Sequence, residues 1–261
     1  MKLSFLKGLL VFISILVYSQ NNAQVFWTET FGAGCNTGTL ANGFASPNGA
    51  WSVSNTGTNG TDANVWYISA EENGEGVGNC GAGCGNNPTL HISAGAIDAG
   101  AAYLNGDGGM GLDATTNKRA ESPVIDCSGQ CGIELTFEYI ENGDGANDDL
   151  SIWYFDGSVW NKIEDTPKTP VTCAPQGEWI AYTVTLPGSA NNNPNVQIGF
   201  QWVNNNDNVG TNPSAALYNI QLAQNDTEAP TMNCVADVNV YVHQNCDAAI
   251  PDLELPPFVA V

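Results

Sequence analysis

The strongest constraint on this chain is an apolar–polar alternation of period two, repeated in short runs between clusters of turn residues. Ile133, Leu135, Phe137 and Tyr139 share one face of an extended segment, with Glu134, Thr136 and Glu138 on the other. Leu150, Ile152 and Tyr154 repeat the pattern, and Asp156-Gly157 then supplies a hairpin turn into residues 159–163. Ile180, Tyr182, Val184 and Leu186 make a third such face, Val196, Ile198, Phe200 and Trp202 a fourth, and Tyr218, Ile220 and Leu222 a fifth. Successive side chains of a strand point to opposite sides, so each run reads as a strand with one side buried. Shorter runs near 25–31, 51–53, 66–68 and 89–92 predict earlier strands. Helix-length periodicity is missing. Many short strands separated by Gly- and Asn-rich turns predict an all-β sandwich or barrel.

The N-terminus sets the compartment. Lys2 and Lys7 flank a short basic start, and residues 8–17 are almost uninterrupted apolar. That stretch is too short to span a bilayer, which takes about 20 apolar residues, and polar residues follow it at once. It reads as a secretory signal peptide over residues 1–23, cleaved after Ser19 or after Ala23, and no later segment predicts a membrane span. Eight cysteines in an exported chain then imply disulfides. Cys35, Cys80, Cys84, Cys127, Cys131 and Cys173 precede residue 224, and their pairing is not readable from spacing. Cys234 and Cys246 lie alone in the C-terminal segment and are expected to pair with each other. Zinc is disfavoured for Cys80, Cys84 and His91, because the interval is CxxxC rather than CxxC and the compartment is oxidising.

The net charge of −21, from six Lys and Arg against 27 acidic residues, argues against nucleic acid as a partner, since that contact relies on cations at phosphates. It argues equally against anionic lipid surfaces. Long loops at 32–49, 71–88 and 204–213 are of the length that is functional or cross-linked in compact domains. A polar stretch ending in Pro230 marks a boundary near 224–230, so a sandwich is expected over 24–224 and a separate, incomplete module over 225–261.

Catalytic constellations are sparse. His91 sits in a predicted strand and His243 in the C-terminal segment, and neither belongs to a GxSxG or HExxH motif. The adjacent carboxylates Glu71-Glu72 and Asp148-Asp149 point to opposite faces of extended backbone and read as solvated loop groups. The loop from Gly143 to Asp149 lacks the DxDxDG spacing with a distal Glu that a calcium loop needs. No catalytic residue is expected.

Two family resemblances organise these observations. Residues 30–222 resemble the jelly-roll modules of bacterial surface proteins of the MAM and cleaved-adhesin type. The matching stretches are Arg119-Ala120-Glu121-Ser122-Pro123-Val124-Ile125-Asp126, read as the start of a strand, together with residues 133–139, 150–160, 179–187 and 196–200. Residues 226–234, followed by Val238, Val240, Val242 and Cys246, resemble the opening of a hyalin-repeat domain, an immunoglobulin-like module of which only the first part is present. The implied fold is a jelly-roll-type antiparallel β-sandwich followed by an incomplete immunoglobulin-like module.

The resemblance also implies a structural calcium between the first and last strands. Glu29 matches the first-strand ligand, Asn219 stands where two aspartates are usual, and Asp107 is a further candidate. Sugar-binding sandwiches stack pyranose rings on exposed aromatics. If Leu150, Ile152 and Tyr154 face the core, Trp153 and Phe155 face outward, and Trp160 follows the hairpin. Trp153 and Trp160 are therefore the candidate ligand-binding residues. The expected function is non-catalytic adhesion or recognition of a glycan or an extracellular protein, within a secreted or cell-surface protein. An ancillary domain of a secreted hydrolase and a structural spacer are the alternatives.

Overall fold

The structure, a computed structural model, describes residues 24–95 and 97–224. The signal peptide, the Cys234–Cys246 pair and the hyalin-type module lie outside the described residues. Thirteen strands follow one another in chain order: β1 (Gln24–Glu29), β2 (Ala45–Ser46), β3 (Gly49–Ala50), β4 (Ser52–Asn55), β5 (Val65–Asn73), β6 (Pro88–Ser93), β7 (Thr116–Glu121), β8 (Ile133–Gly143), β9 (Asp149–Phe155), β10 (Trp160–Asp165), β11 (Ile180–Thr185), β12 (Gln197–Asn204) and β13 (Thr211–Gln224).

They build two antiparallel sheets and a small hairpin of β2 and β3. One sheet has the order β11-β8-β13-β6-β5, with β1 also on β13, and the other has the order β10-β9-β12-β7-β4. This is the expected jelly-roll-type sandwich. The 14-residue β13 is its spine: it pairs with β8 along one edge, and along the other with β6 at Ala216 and Leu217 and with β1 from Ile220 to Gln224. A register shift between Tyr218 and Gln221 in its pairing with β8 accompanies that change of partner.

The alternation seen in the sequence becomes the packing. Leu135, Phe137 and Tyr139 from β8 meet Leu150, Ile152 and Tyr154 from β9 and Ile198, Phe200 and Trp202 from β12, all fully buried. Phe137 and Phe200 meet edge to face across the two sheets, with ring centroids 5.3 Å apart, a favoured aromatic geometry. Trp51 and Trp66 close one flank of this core, and Trp179 joins Ala101, Ile140 and Ala216 in a smaller cluster.

Two features depart from the expectations. The stretch around Arg119 is a strand over Thr116–Glu121, and it ends before Ser122-Pro123 rather than beginning there. Its partners are β12 on one side and β4 on the other. The two carboxylate pairs are not solvated either. Glu72, Asp148 and Asp149 are all buried. A register shift between Ser69 and Asn73 turns Glu72 inward, Asp148 accepts the Tyr103 hydroxyl at 2.6 Å, and Asp149 accepts the Lys168 ammonium at 2.5 Å.

Cys35 bonds Cys84, and Cys80 bonds Cys173. Both disulfides tie down the loop between β5 and β6, residues 74–87, which explains how so long a connection is held in place. Cys80 and Cys84 thus belong to different bridges, and His91 faces Asp98, so the three form no zinc set. Cys127 and Cys131 have no disulfide partner among the described residues, the first being buried and the second exposed. Burial, with the nearby Asp126 charge, pushes the Cys127 thiol up to about 11, which keeps it protonated and unreactive.

Candidate functional site

The outer face of the five-stranded sheet carries the densest unused chemistry. Residues directly opposite in an antiparallel ladder share a face, so the register reads it off. One row runs Lys162, Trp153, Gly199, Glu121, Ser52, and a parallel row runs Ser151, Gln201, Arg119, Ser54. Phe155 lies opposite both Trp160 and Gln197. Because Leu150, Ile152 and Tyr154 point into the core, Trp153 and Phe155 must point out, and both remain half-buried on this surface.

Arg119 joins the rows. Its guanidinium carbon lies 4.0 Å from the Trp160 ring centroid and 5.2 Å from that of Trp153, within cation–π range of both. Its Nε and Nη2 donate to Glu121 Oε1 at 3.1 and 2.9 Å, and Ser52 Oγ donates to the other Glu121 oxygen at 3.4 Å. Phe155 packs on Trp160 with centroids 5.3 Å apart. Trp153 Nε1 is held by Ser151 Oγ at 2.9 Å. The aromatic rings are thus fixed in orientation rather than free to turn.

Gly199 makes this arrangement possible. A Cβ there would stand 2.6 Å from Arg119 Cδ and 2.8 Å from Trp160 Cζ3, so only glycine lets the arginine cross β12 to reach the tryptophan. Beside it, Gln201 is 7 % exposed and its Oε1 has no hydrogen-bond partner among the described residues, while its Nε2 donates to Asn117 Oδ1 at 3.0 Å. An acceptor of this kind, buried and unpartnered, is unusual enough to need an explanation. Asn117 leads into a cleft of about 330 Å³ at the same end of the sheet, lined by Thr58, Thr115, Asn117, Asn147, Val203 and Asn205. The face as a whole offers half-buried rings, a fixed cation–carboxylate pair and a run of amides and hydroxyls.

Of these residues, Trp153 and Trp160 were predicted from sequence. Arg119, Glu121, Gln201 and Asn117 were not, because their proximity depends on strand pairing between segments about 80 residues apart. The available signal was Gly199, a glycine in the interior of a predicted strand.

The predicted calcium residues do not come together. Glu29 pairs with Ile220, which places it beside Asn219. Asp107 sits instead in the loop that pairs Gly106 with Asp207 and bonds Asn105 to Gly210. Gly210 immediately precedes β13 and Ile220 lies ten residues further on, roughly 30 Å of extended chain. Glu29 itself is buried and surrounded by N–H donors: Phe31 N at 2.9 Å on Oε1, and Asn48 Nδ2 and Trp51 Nε1 at 3.2 Å on Oε2. Asn219 Oδ1 accepts from Gln221 Nε2 at 2.9 Å. Calcium needs six to eight converging oxygens, and this donor set does not fit it. Melting of the domain in EDTA is therefore expected to match melting in calcium chloride; a rise of several degrees with calcium would restore an ion to this fold.

His91 belongs to a closed network. Nε2 faces Asp98 Oδ1 at 2.9 Å, Nδ1 faces Thr89 Oγ1 at 3.0 Å, and the ring has no exposed surface. Burial would raise the Asp98 carboxyl, but the hydrogen bonds from His91, Ser69 and Gly38 outweigh it and hold the group well below the usual carboxylate range. The Thr–His–Asp order resembles a nucleophilic triad, yet no substrate can reach Thr89, which is fully buried and donates to Glu72 O at 2.8 Å. The network instead pins the loop carrying Asp98 to β5 and to Gly38.

No family profile matches this chain, and no curated protein does. Among solved structures, the K1 cleaved-adhesin domain of Lys-gingipain from Porphyromonas gingivalis W83 is similar at 15 % identity and a TM-score of 0.43, over 76 % of this chain and 98 % of that one. The K3 cleaved-adhesin domain of the same protein is similar at 11 % identity and a TM-score of 0.34, over 68 % and 92 %. The enzymatically active domain of tailspike protein 4 from bacteriophage CBA120 is similar at 15 % identity and a TM-score of 0.38, over 73 % of this chain but only 21 % of that one. These are likenesses of weak degree, and the chemistry of the outer face has to be judged on its own residues.

Proposed function

We propose that this domain is a non-catalytic recognition module that binds glycan on the outer face of the β10-β9-β12-β7-β4 sheet. The observation that carries the reading is the platform of Trp153 and Trp160 held in place by Arg119. A pyranose presents C–H groups on its ring face and hydroxyls around its rim. Half-buried aromatic rings match the first, and the Arg119–Glu121 pair, the free Gln201 oxygen and the Asn- and Thr-lined cleft match the second. Exported chains with an excess of carboxylates select against polyanions, so neutral sugars are the expected class. Two disulfides and the alternation-built core make the platform rigid, which limits the ordering cost of binding.

A glycan array probed with the intact protein tests the reading. Stacking of this kind contributes roughly 1 kcal/mol per ring, so W153A/W160A is expected to weaken binding at least about tenfold with little change in melting temperature. Silence across the array, or equal binding by the double variant, would overturn it.

A further inference from the structure

A second site lies on the other sheet, where β5 carries Glu72 at the end of a cavity of about 240 Å³. The walls come from three directions. The Cys80–Cys173 disulfide joins the loop after β5 to the segment before β11, and Gly81 N donates to Gly177 O at 2.8 Å across the same seam. Ala101, Ala102, Pro175 and Pro213 give the lining its apolar part, and Glu71, Gln176 and Asn212 its polar part.

Glu72 is 8 % exposed, and the groups that favour its charged form are the backbone amides of Ala101 and Ala82. Oε2 accepts the Ala101 amide at 3.3 Å, whereas Oε1 has no hydrogen-bond partner among the described residues. Glycines pack directly against it: a Cβ on Gly81 would stand 2.7 Å from Oε1, and one on Gly100 3.2 Å from Oε2, so the carboxylate fits here only because these two residues lack side chains. A buried carboxylate normally has a cationic partner. None is available here. The described residues contain four Lys and Arg: Lys118 bonds Asn64 O, Arg119 bonds Glu121, Lys162 bonds Asp165, and Lys168 bonds Glu141 and Asp149. His91 is taken by Asp98. The charges that do act on Glu72 are Glu71 and Glu75, both negative.

We propose that this cavity binds a primary alkylammonium group, such as the end of a lysine side chain, with the ammonium paired to the Glu72 carboxylate and the methylenes against Ala101, Ala102, Pro175 and Pro213. The volume admits such a chain, its stem matches the apolar part of the lining, and its head supplies the cationic donors that the carboxylate lacks. A divalent cation fits less well, since no group of three or more His, Cys, Asp and Glu converges among the described residues. Burial pushes the Glu72 carboxyl up to about 7, with Glu71 and Glu75 adding to the rise against the Ala101 and Ala82 amides, so an arriving ammonium would shift a group already close to its midpoint.

Titration of the Glu72 side-chain carboxyl by carbon NMR in the intact protein is the test, with Nα-acetyl-lysine methylamide as probe. Saturable binding that lowers the Glu72 midpoint by about one unit or more is expected, by direct pairing with the ammonium. The ε-acetylated probe, which keeps the stem but loses the charge, should do neither. Glu72→Gln and Gly81→Ala should each weaken binding at least about tenfold, the first by removing the charge and the second by displacing the carboxylate. Equal binding of the charged and acetylated probes, which needs no variant to observe, would overturn the proposal. So would a Glu72 midpoint that responds to calcium chloride and not to the lysine probe.

Discussion

Replacing Lys168 with methionine is expected to lower the unfolding free energy by about 3–5 kcal/mol, the cost of stranding a buried charge. Glu141 on β8 has no exposed side-chain surface and sits between the sheets. Its Oε1 accepts the Leu150 amide at 2.9 Å and the Lys168 ammonium at 2.5 Å, and its Oε2 accepts the Thr166 hydroxyl. The same ammonium lies 2.5 Å from Asp149 Oδ1 and 3.0 Å from Asp148 O, so one cation answers for two carboxylates and a carbonyl. Burial pushes the Glu141 carboxyl up, and Lys168 is the first influence pulling it down. Without Lys168 that pull is lost and the folded-state value stands further above the unfolded one. A group of that sign contributes stability at low pH and loses it as pH rises through its folded value. The variant should therefore be closer to wild type at pH 5 than at pH 8. Urea unfolding at the two pH values measures this; equal midpoints for variant and wild type at pH 8 would show that Glu141 is neutral without its lysine. Adding Glu141→Gln to the variant should recover part of the loss, because it removes the charge that was stranded.

The second large effect is expected from Cys80→Ser/Cys173→Ser. The bridge closes a loop of 93 residues. Loop-closure entropy for that length is about 4–5 kcal/mol, and native disulfides of secreted domains measure about 2–5 kcal/mol on removal. For a domain near 200 residues this corresponds to a fall in melting temperature on the order of 10 °C. The Cys35–Cys84 bridge closes a shorter loop of 49 residues and should cost slightly less. Cys131→Ser, at an exposed thiol, should stay within about 0.5 kcal/mol of wild type. Calorimetry of the three variants tests the order; a large loss in Cys131→Ser would mean that this thiol holds a partner.

The core was legible because its signal is local. Phe137, Ile152 and Phe200 each sit in a run whose alternation says which side is buried, without knowledge of the neighbours. β7 was not legible, since Thr116-Asn117-Lys118-Arg119-Ala120-Glu121 has no apolar alternation to read. Its inward positions are filled by Thr116, by Ala120 and by Lys118, whose ammonium reaches Asn64 O at 2.9 Å. Only the ladders of β12 and β4 on either side identify it as a strand. The same limit governs the buried carboxylates. Glu72 and Glu141 look like solvated acids in the sequence because nothing local shows the bulge that turns one inward or the lysine 27 residues away that meets the other.

By itself, then, the sequence determined the class of fold, the face buried by each alternating strand, and the outward direction of Trp153 and Phe155. All of these follow from the two-residue period of extended backbone. Which residues meet was decided by tertiary structure alone. Strand register brought Arg119 across Gly199 to Trp160 and left Gln201 Oε1 without a partner among the described residues. It separated Glu29 from Asp107 along the length of β13, and disulfide pairing drew Cys80 and Cys173 together to close the Glu72 cavity. Periodicity is a property of one strand, whereas a site requires the alignment of several, and that alignment is set only when their buried faces pack together.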